Sequence, residues 1–502
     1  MTASALLNQA AAHHRQGRWE AALAAYEQAL ATGIGPTAPL LETIAAAAWA
    51  SGRAEEALRR LRQALALGPA QALVHRNLGI AATDDGSIAD GVRRQRRAAT
   101  CDPFSPLVWE GLASAYRDAS GLAAAAQSWR RSLVLAPNSA TGWYDLGTGE
   151  QQAGHWSMAM ALLRRALAIE PRHAPTLGNL AVCLSEQNRT EEALSTFEQA
   201  VRCDPSSFRR RHALHLERLK AGLFEDAWEA IADTALPAPE NMRCRAVLLS
   251  GTSGFGDVIQ FLRYVPLVAA LAKSVALTVP IPLIAVVRRA VGGVPVAGEG
   301  LEPPPHEVAL RLLDLPNVFR TTATTIPAPL AIAADTARSA RWRDRITRGR
   351  RPAVGVVWAG DPAYPMDWLR SPGFGPVLPL LASDVAHFHV LQVGSGRAEL
   401  GTVTLPPGVI DLGGDIGDFD DTAAIVDGLD LVITSCTAAA HLAGSMGRPT
   451  WVMLRHASDW RWMLGRSDSP WYPGMRLFRQ ATPGDWAGVV AEVMAALRER
   501  YG

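Results

Sequence analysis

A carboxylate stands at a glycine-rich turn in the second half of this 502-residue chain. The apolar run at residues 246–249 predicts a buried strand, and residues 250–257 (Ser-Gly-Thr-Ser-Gly-Phe-Gly-Asp) lead from it into a helical pattern. Such an opening is typical of a doubly wound α/β unit, and the N–H groups of the turn can hold an anion. Asp257 ends the turn. Its carboxylate could accept a proton from a hydroxyl, or it could cap the helix.

A second polar turn joins an apolar strand to a helix at residues 434–437. The hydroxyls of Ser435 and Thr437, together with free N–H groups of a helix N-terminus, suit a phosphate group. His441 lies four residues into the helix, on the face of Thr437, where its ring could donate to a phosphate oxygen. The alternative is a hydrogen-bonded helix residue without a ligand.

Arginine supplies almost all of the positive charge. Lys220 and Lys273 are the only lysines among 49 basic residues, so a cation that binds phosphate must be arginine. A guanidinium forks well onto phosphate oxygens.

The composition excludes several classes of protein. A formal charge of +1 argues against a nucleic-acid partner and against a polybasic membrane clamp. The apolar stretch at 258–280 is interrupted by polar residues and proline, so we expect no membrane span. Five cysteines without a CxxC pair signal neither a disulfide framework nor a zinc ribbon, and residues 1–16 lack a secretory signal. These features predict a soluble, cytoplasmic protein.

The first half of the chain repeats every 34 residues. A proline recurs at Pro69, Pro103, Pro137, Pro171 and Pro205. A turn position recurs at Gly17, Gly52, Gly86, Ser120, Gly154, Asn188 and Gly222, and five residues after each turn lies a small residue: Ala22, Ala57, Gly91, Ala125, Ala159, Ala193 and Ala227. The turn requires a residue that tolerates positive φ, and the small residue lets two helices approach closely. This pattern resembles the tetratricopeptide repeat, with about seven copies in residues 1–236.

The first helix of each repeat builds the concave face of such a solenoid. The position nine residues before each turn carries Asn8, Thr43, Asn77, Gly111, Asp145, Asn179 and Ala213, of which four are amides or acids. An amide both donates and accepts, so a run of amides can hold the backbone of an extended peptide. The run resembles the asparagine ladder of O-linked N-acetylglucosamine transferases. The alternative is that asparagine is merely common at this position.

The second half of the chain alternates strand and helix patterns. We predict strands at 246–249, 275–279, 353–357, 388–393, 429–433 and 450–454, with helices between them and a closing helix at 486–498. This order predicts two doubly wound domains, at 237–345 and 346–502, with a ligand cleft between the carboxyl ends of their strands. The fold class is therefore an all-α repeat solenoid followed by a GT-B-like pair of Rossmann-like domains.

Three groups of residues carry a resemblance to a family across about residues 245–495. Residues 254–264 match G-x-G-D-x-I-Q-F-x-R-Y, residues 437–444 match T-x-x-A-H-L-A-G, and the third group is the tryptophan-rich tail at 459–462, 469–473 and 477–480. Together they resemble bacterial tetratricopeptide-repeat glycosyltransferases, which are similar to lipopolysaccharide heptosyltransferases. Flagellin glycosyltransferases with an N-terminal repeat domain share the layout.

The resemblance implies a role for each matching residue. Asp257 would be the general base and His441 the second catalytic residue. The acceptor would lie along Asn8, Asn77, Asp145 and Asn179. The donor site would comprise Gly256, Trp358, Gly360, Arg370, Ser435, Thr437, Asp421, Thr422 and Asp459. Arg370 stands where the family shows an Arg-Ser pair and would bind the donor phosphates; the alternative is a surface arginine. The triplet at 418–420 is a weak metal motif, so we expect neither a metal nor a cofactor.

The sequence thus predicts a metal-independent, inverting glycosyltransferase. It would move a sugar from a nucleotide sugar to a Ser or Thr hydroxyl of a protein, such as flagellin, held by the repeats. The alternative is a tetratricopeptide-repeat scaffold with a degenerate transferase domain. Three departures from the family pattern favour that alternative: Cys436 in place of an aspartate, Trp368 in place of an arginine, and no lysine in the cleft segments.

Overall fold

The structure is a computed structural model that describes residues 2–229, 236–251, 254–346, 349–364 and 366–502. Two compact units divide the chain, Met1–Leu184 and Ser185–Gly502. The predicted domain boundaries after residues 236 and 345 stay predictions. Residues 230–235, Thr252 and Ser253 of the glycine-rich turn, and residues 347–348 lie outside the described residues.

Helices follow one another without a strand through the described residues 3–229. In the first unit they are α1 (Ala3–Arg15), α2 (Trp19–Ala31), α3 (Ala38–Ala50), α4 (Ala54–Leu67), α5 (Ala72–Asp84), α6 (Ile88–Cys101), α7 (Pro106–Asp118), α8 (Leu122–Leu135), α9 (Ala140–Gln152), α10 (Trp156–Ile169) and most of α11 (Ala174–Glu186). The second unit continues with α12 (Thr190–Cys203), α13 (Phe208–Lys220) and α14 (Phe224–Glu229).

The 34-residue period corresponds to pairs of helices. All seven turn positions have positive φ, from 53° at Asn188 to 81° at Gly86. The five phased prolines each fall in the short connection between one pair and the next. The predicted helix–turn–helix repeat is therefore confirmed, because the residue that tolerates positive φ stands where each turn requires it.

Small residues hold the helices of each pair together. Ala22, Ala57, Ala125 and Ala159 are each fully buried in the first unit, as are Ala193 and Ala227 in the second. The apolar side chains of the first unit form several local clusters, for example one around Trp129 and another around Leu112. Such nearest-neighbour packing is the usual stabilisation of a repeat array.

The second unit contains two parallel sheets. The first has the strand order β3-β2-β1-β4, with β1 (Ala246–Ser250), β2 (Ser274–Val279), β3 (Val296–Gly298) and β4 (Val308–Arg311). The second has the order β10-β9-β8-β5-β6-β7, with β5 (Ala353–Val357), β6 (His387–Val390), β7 (Ile410–Asp411), β8 (Leu431–Ser435), β9 (Thr450–Leu454) and β10 (Met475–Arg479). The second order is that of a complete doubly wound sheet, and the first is a shortened version of it.

Ten helices accompany the sheets among the described residues. They are α15 (Phe255–Phe261), α16 (Val265–Leu271), α17 (Ile284–Val291), α18 (Leu315–Val318), α19 (Thr336–Arg343), α20 (Asp367–Arg370), α21 (Phe374–Leu381), α22 (Phe419–Asp427), α23 (Ala438–Ser445) and α24 (Trp486–Tyr501). The predicted strands and helices are present with shifted ends. Strands β3, β4, β7 and β10 were not predicted from the sequence.

One hydrophobic core crosses much of the second unit. It contains side chains of α13 and α14, of the first sheet, of β9, and of the tryptophan-rich tail. Trp228 of α14 also donates its indole N–H to the carbonyl oxygen of Thr321, at 2.7 Å. The last helix pair is therefore packed as part of the α/β region. In the described part of the chain, no helix is long and apolar enough to cross a membrane.

Candidate functional site

The strand order of the second sheet locates a candidate ligand site. The order reverses between β5 and β8, and doubly wound proteins bind ligands beyond the carboxyl ends of the strands at such a switch point. Trp358 and Gly360 follow β5, whereas Cys436 and Thr437 follow β8. Of the predicted donor residues, Trp358, Gly360 and Thr437 thus lie at the edge of the sheet where this fold places ligands.

Arg461 connects this edge to the first sheet. Its guanidinium donates to the carboxylate of Asp257 at 2.5 Å, to that of Asp459 at 2.8 Å and to the amide oxygen of Gln260 at 2.9 Å. Its side chain is only 12% exposed, and it packs over the ring of Trp460 at 4.7 Å. Three nitrogens with three acceptors fix the turn after β9 against α15.

Helices α15 and α23 are in direct contact. A Cβ atom placed on Gly256 would lie 2.7 Å from Cδ2 of His441 and 3.5 Å from Cα of Ala438. Phe255 also meets Phe419 edge-on, with ring centroids 5.3 Å apart. At Gly256, the predicted cleft is therefore filled by helix packing rather than open.

His441 is enclosed by aromatic rings. It stacks on Trp462 with ring centroids 5.4 Å apart, and its Nδ1 lies 3.1 Å from the hydroxyl of Tyr472. Burial lowers the pKa of His441 to about 3, and the nearby Arg461 acts in the same direction. The ring is thus neutral near physiological pH, so it could serve a phosphate as an N–H donor but not as a cation.

Arg370 is held in place at the end of β5. Its Nε donates to Asp367 at 2.8 Å, and its guanidinium lies over the ring of Tyr364 at 4.5 Å. The hydroxyl of Ser371 donates to the same carboxylate and accepts the N–H of Gly360, both at 2.9 Å. A Cβ atom on Gly360 would meet this group at 2.5 Å, so glycine is required for the close approach.

Trp358 points into the core of the second sheet. Its side chain is fully buried, with its ring centroid 5.2 Å from that of Phe374. Gln392, which follows β6, accepts the backbone N–H groups of Trp358 and Ala359 at 3.0 and 2.9 Å. The buried ring of Trp358 therefore anchors the turn after β5 to the core, and Gln392 fixes the backbone of that turn.

The polar turn after β8 has one hydroxyl that is engaged and one that is not. Thr437 is hydrogen-bonded to the hydroxyl of Thr434 at 2.8 Å and precedes α23 as its N-cap. The buried hydroxyl of Ser435 has no hydrogen-bond partner among the described residues. Burial raises the pKa of the Cys436 thiol, and the charges of Arg370 and Arg461 oppose that rise without reversing it. The guanidinium groups of Arg370 and Arg461 thus both lie near the Cys436 thiol, just before α23.

Asp421 and Thr422 belong to a different group of contacts. The carboxylate of Asp421 accepts the indole N–H of Trp342 at 3.2 Å and lies 3.0 Å from the guanidinium of Arg338. The hydroxyl of Thr422 donates to the carbonyl oxygen of Asp418 at 3.3 Å. Both residues are therefore occupied in fixing the start of α22.

The turn that carries Asp459 and Arg461 is also tied to the last repeats. Arg455 makes two hydrogen bonds to Glu186, at 2.9 and 3.1 Å, and the carbonyl oxygen of His456 accepts from Asn188 at 2.9 Å. Arg461 and Arg455 lower the pKa of Asp459, although its partial burial acts in the opposite direction. The segment from Arg455 to Arg461 thus joins the turn between α11 and α12 to α15.

The predicted acceptor ladder lies on first helices of the repeats, and two of its three amides have local hydrogen-bond partners. Asn77 accepts from Arg76 at 3.1 Å, and Asn179 donates to the hydroxyl of Thr148 at 2.9 Å. Asn8 is exposed. Burial raises the pKa of Asp145 to about 6, which leaves its carboxyl partly protonated near that pH.

The alternative interpretation of Asp257 as a helix N-cap is wrong. Gly254 is the N-cap of α15 and Asp257 is its third residue, with its N–H bonded to the carbonyl oxygen of Gly254. The carboxylate is thereby free to face Arg461. Arg455 and Arg461 also contribute to the site, and no role was predicted for either from the sequence. Their place in an aromatic-rich segment after a buried strand was the available signal.

Models of the tetratricopeptide repeat match residues 1–70, 43–106 and 151–216. The first half of the chain contains tetratricopeptide repeats. This confirms the repeat prediction and describes a region suited to binding other proteins.

Protein FlbA of Caulobacter vibrioides is 34% identical over 197 residues, which are 37% of this chain and 32% of FlbA. The match thus spans about a third of that relative.

Solved structures resemble the chain more distantly. The Cut9–Hcn1 hetero-tetramer of the APC/C has 15% identity and a TM-score of 0.39, and the match covers 43% of each chain. PilF of Pseudomonas aeruginosa has 18% identity and a TM-score of 0.38, over 42% of this chain and 95% of pilF.

We expect Gly256→Ala to lower the free energy of unfolding by about 1–3 kcal/mol, because its Cβ would overlap His441. The matched control is Gly375→Ala, also at the second position of a helix, where a Cβ would have no neighbour within 4 Å. The control should be neutral or slightly stabilising. Chemical denaturation followed by tryptophan fluorescence measures both. Equal stability of the two variants would contradict the close contact.

Asp145→Asn should stabilise the first unit in a pH-dependent manner. The raised pKa means that the folded chain holds a proton which the unfolded chain releases above its usual value of 3.8. The penalty for the charged carboxylate is therefore absent below that value, grows as pH rises, and is complete above about 6. We expect a higher unfolding midpoint for the variant at about pH 7.5 and little change at about pH 3.5. The exposed control Glu55→Gln should show no such rise, and an equal effect at both pH values would contradict the buried carboxyl.

Proposed function

We propose that this chain is a glycosyltransferase that moves a sugar from a nucleotide-sugar donor to a hydroxyl of a protein bound by its repeats. The observation that carries the proposal is the set of three guanidinium groups beyond the carboxyl ends of the second sheet. Arg370 follows β5, and Arg455 and Arg461 follow β9. Burial raises the pKa of Tyr364 and that of Cys436. Arg370 and Arg455 oppose the rise at Tyr364, and Arg370 and Arg461 oppose it at Cys436, which supports the clustering of the three groups.

A diphosphate leaving group suits this cluster. Arginine pairs bidentately with phosphate oxygens and keeps its charge when it is partly buried. The N-terminus of α23, with the buried hydroxyl of Ser435 before it, adds donors on the same side of the switch point. Departure of the diphosphate leaves negative charge on its oxygens, and these groups would stabilise that charge.

Asp257 supports the proposed proton transfer. Arg461 binds its Oδ1, and within the described ranges no hydrogen bond is made to its Oδ2. In the proposed step the acceptor hydroxyl attacks the anomeric carbon, the bond to the diphosphate breaks, and Oδ2 takes the hydroxyl proton. Arg461 would then orient the base from one side and meet the leaving group from the other.

The acceptor is a protein in this proposal because the chain carries tetratricopeptide repeats. A serine or threonine hydroxyl in an extended segment suits backbone contacts with the first helices. The sequence resemblance to flagellin glycosyltransferases makes flagellin the first acceptor to test.

The second candidate is a non-catalytic repeat scaffold. The packing of Gly256 on His441 favours it, because this contact fills the position where a donor would approach α23. The ion pair between Arg461 and Asp257 also favours the scaffold, since each charge already has a partner without a ligand. Nucleotide binding separates the two candidates.

We expect one of UDP, GDP, ADP and CMP to raise the unfolding temperature of the wild type. A ligand at about 100 times its Kd adds about 2.7 kcal/mol, which corresponds to a shift of several degrees. Arg370→Ala should lose the shift because its guanidinium is part of the proposed site. Arg341→Ala, which removes an exposed arginine of α19, should retain it. The absence of a shift with all four nucleotides would favour the scaffold.

Asp257→Asn should reduce sugar transfer by about 10²–10⁴-fold, the usual contribution of a general base. Its amide oxygen can still accept from Arg461, so the nucleotide-induced thermal shift should persist. The assay measures sugar incorporated into flagellin from the nucleotide sugar whose base gave the shift. Asp468→Asn, a largely exposed carboxylate paired with Arg466, is the matched control. Unchanged transfer by Asp257→Asn would exclude the base role.

A further inference from the structure

The second helices of four successive repeats carry a basic surface in the first unit. Helices α4, α6, α8 and α10 contain eleven arginines against three acidic residues, a surplus of eight positive charges. The whole chain has a formal charge of only +1. The first helices α3, α5, α7 and α9 instead contain more acidic than basic residues. Positive charge is therefore segregated to one helix of each repeat.

Seven of these arginines occupy two adjacent positions of the repeat, ten and eleven residues after the turn. We call them the arginine stripe: Arg62, Arg96, Arg97, Arg130, Arg131, Arg164 and Arg165. All seven are exposed. Because equivalent positions of successive repeats face the same way, the stripe forms a row along the second helices.

Most of the stripe lacks a carboxylate partner. Among the described residues, only Arg130 is in an ion pair, at 2.7 Å from Glu150. Arg96 donates to the hydroxyl of Tyr116, and Arg165 lies over the ring of Trp143 at 4.7 Å. By contrast, Arg93 and Arg94, nearer the start of α6, are both paired with Asp90. Helices α8 and α10 contain no acidic residue at all.

We propose that the arginine stripe binds an extended, acidic segment of a partner protein. Guanidinium groups pair bidentately with carboxylates, and equivalent helices are about one helix diameter, roughly 10 Å, apart. A segment in the polyproline II conformation has three residues per turn and advances about 3.1 Å per residue, so acidic residues at every third position lie on one face at about this spacing. Four repeats would accommodate about ten residues.

Charge and repeat type favour a protein over other polyanions. The near-neutral chain lacks the overall positive charge typical of proteins that neutralise many phosphates, and the tetratricopeptide repeats are suited to protein partners. The stripe lies on second helices, whereas the proposed acceptor ladder lies on first helices. The stripe is therefore a separate surface from the ladder, and this inference does not depend on transferase activity.

The test uses the full chain and a fluorescein-labelled peptide of about twelve residues with glutamate at every third position and Ser or Gly between. Fluorescence anisotropy at about 0.1 M salt gives the Kd, and higher salt should weaken binding. The double variant R131E/R164E reverses two exposed, unpaired charges. We expect it to weaken binding by about tenfold or more.

The matched control is R15E/R18E, which makes the same charge change at the exposed end of α1 and its following turn. It should alter the Kd by less than about twofold, since these charges lie outside the stripe. Circular dichroism checks that both variants keep the wild-type helix content. No peptide binding, or an equal loss in both variants, would overturn the proposal.

A poly-dT oligonucleotide of equal charge and phosphatidylserine-containing vesicles identify the class of partner. Weaker binding of both than of the acidic peptide supports a protein partner. Tighter binding of either would replace the acidic segment with nucleic acid or an anionic membrane surface and would overturn the assignment.

Discussion

The guanidinium of Arg461 is the constraint on which the candidate site depends. It contacts Asp257 and Gln260 of α15 and Asp459 of its own turn, so it joins the first sheet's leading helix to the second sheet's ligand edge. Burying a cation costs free energy unless its N–H donors are satisfied. The three acceptors of Arg461 meet this requirement, and they thereby fix where its turn lies against α15. Gly256 is the second requirement for this junction, because a side chain at that position would prevent the close approach of α15 to α23.

The same turn explains why the last repeats pack as part of the α/β unit. Arg455 and His456 contact Glu186 and Asn188, only a few residues before Arg461 contacts α15. The turn between α11 and α12 therefore restrains the segment that positions Asp459. The pair α11 and α12 follows the same sequence pattern as the other repeats. Its turn, however, also contacts the α/β part of the second unit and helps to position the candidate site.

The sequence predicted those features that depend on local conformation. Positive φ at the repeat turns follows from Gly and Asn, and the helix and strand patterns around β1, β5, β8 and β9 follow from periodicity. Features set by distant partners were missed or misread. The strand β7 has two residues and carries no periodic signal. Asp257 is the third residue of α15 and not its cap, and its carboxylate binds an arginine 204 residues later. No local pattern encodes that pairing.

The near-exclusive use of arginine has two opposite consequences in one chain. In the second unit, Arg263 is buried, yet it donates to the carbonyl oxygens of Gln260 and Trp471, which a planar fork with five donors can satisfy at once. A lysine there would offer a single ammonium and would lose its charge more readily on burial. In the first unit, the arginines of the stripe are exposed, and helices α8 and α10 contain no acidic residue that could pair with them. Where the fold supplies acceptors, arginine holds elements together. Where it supplies none, arginine leaves a surface whose donors a partner must satisfy.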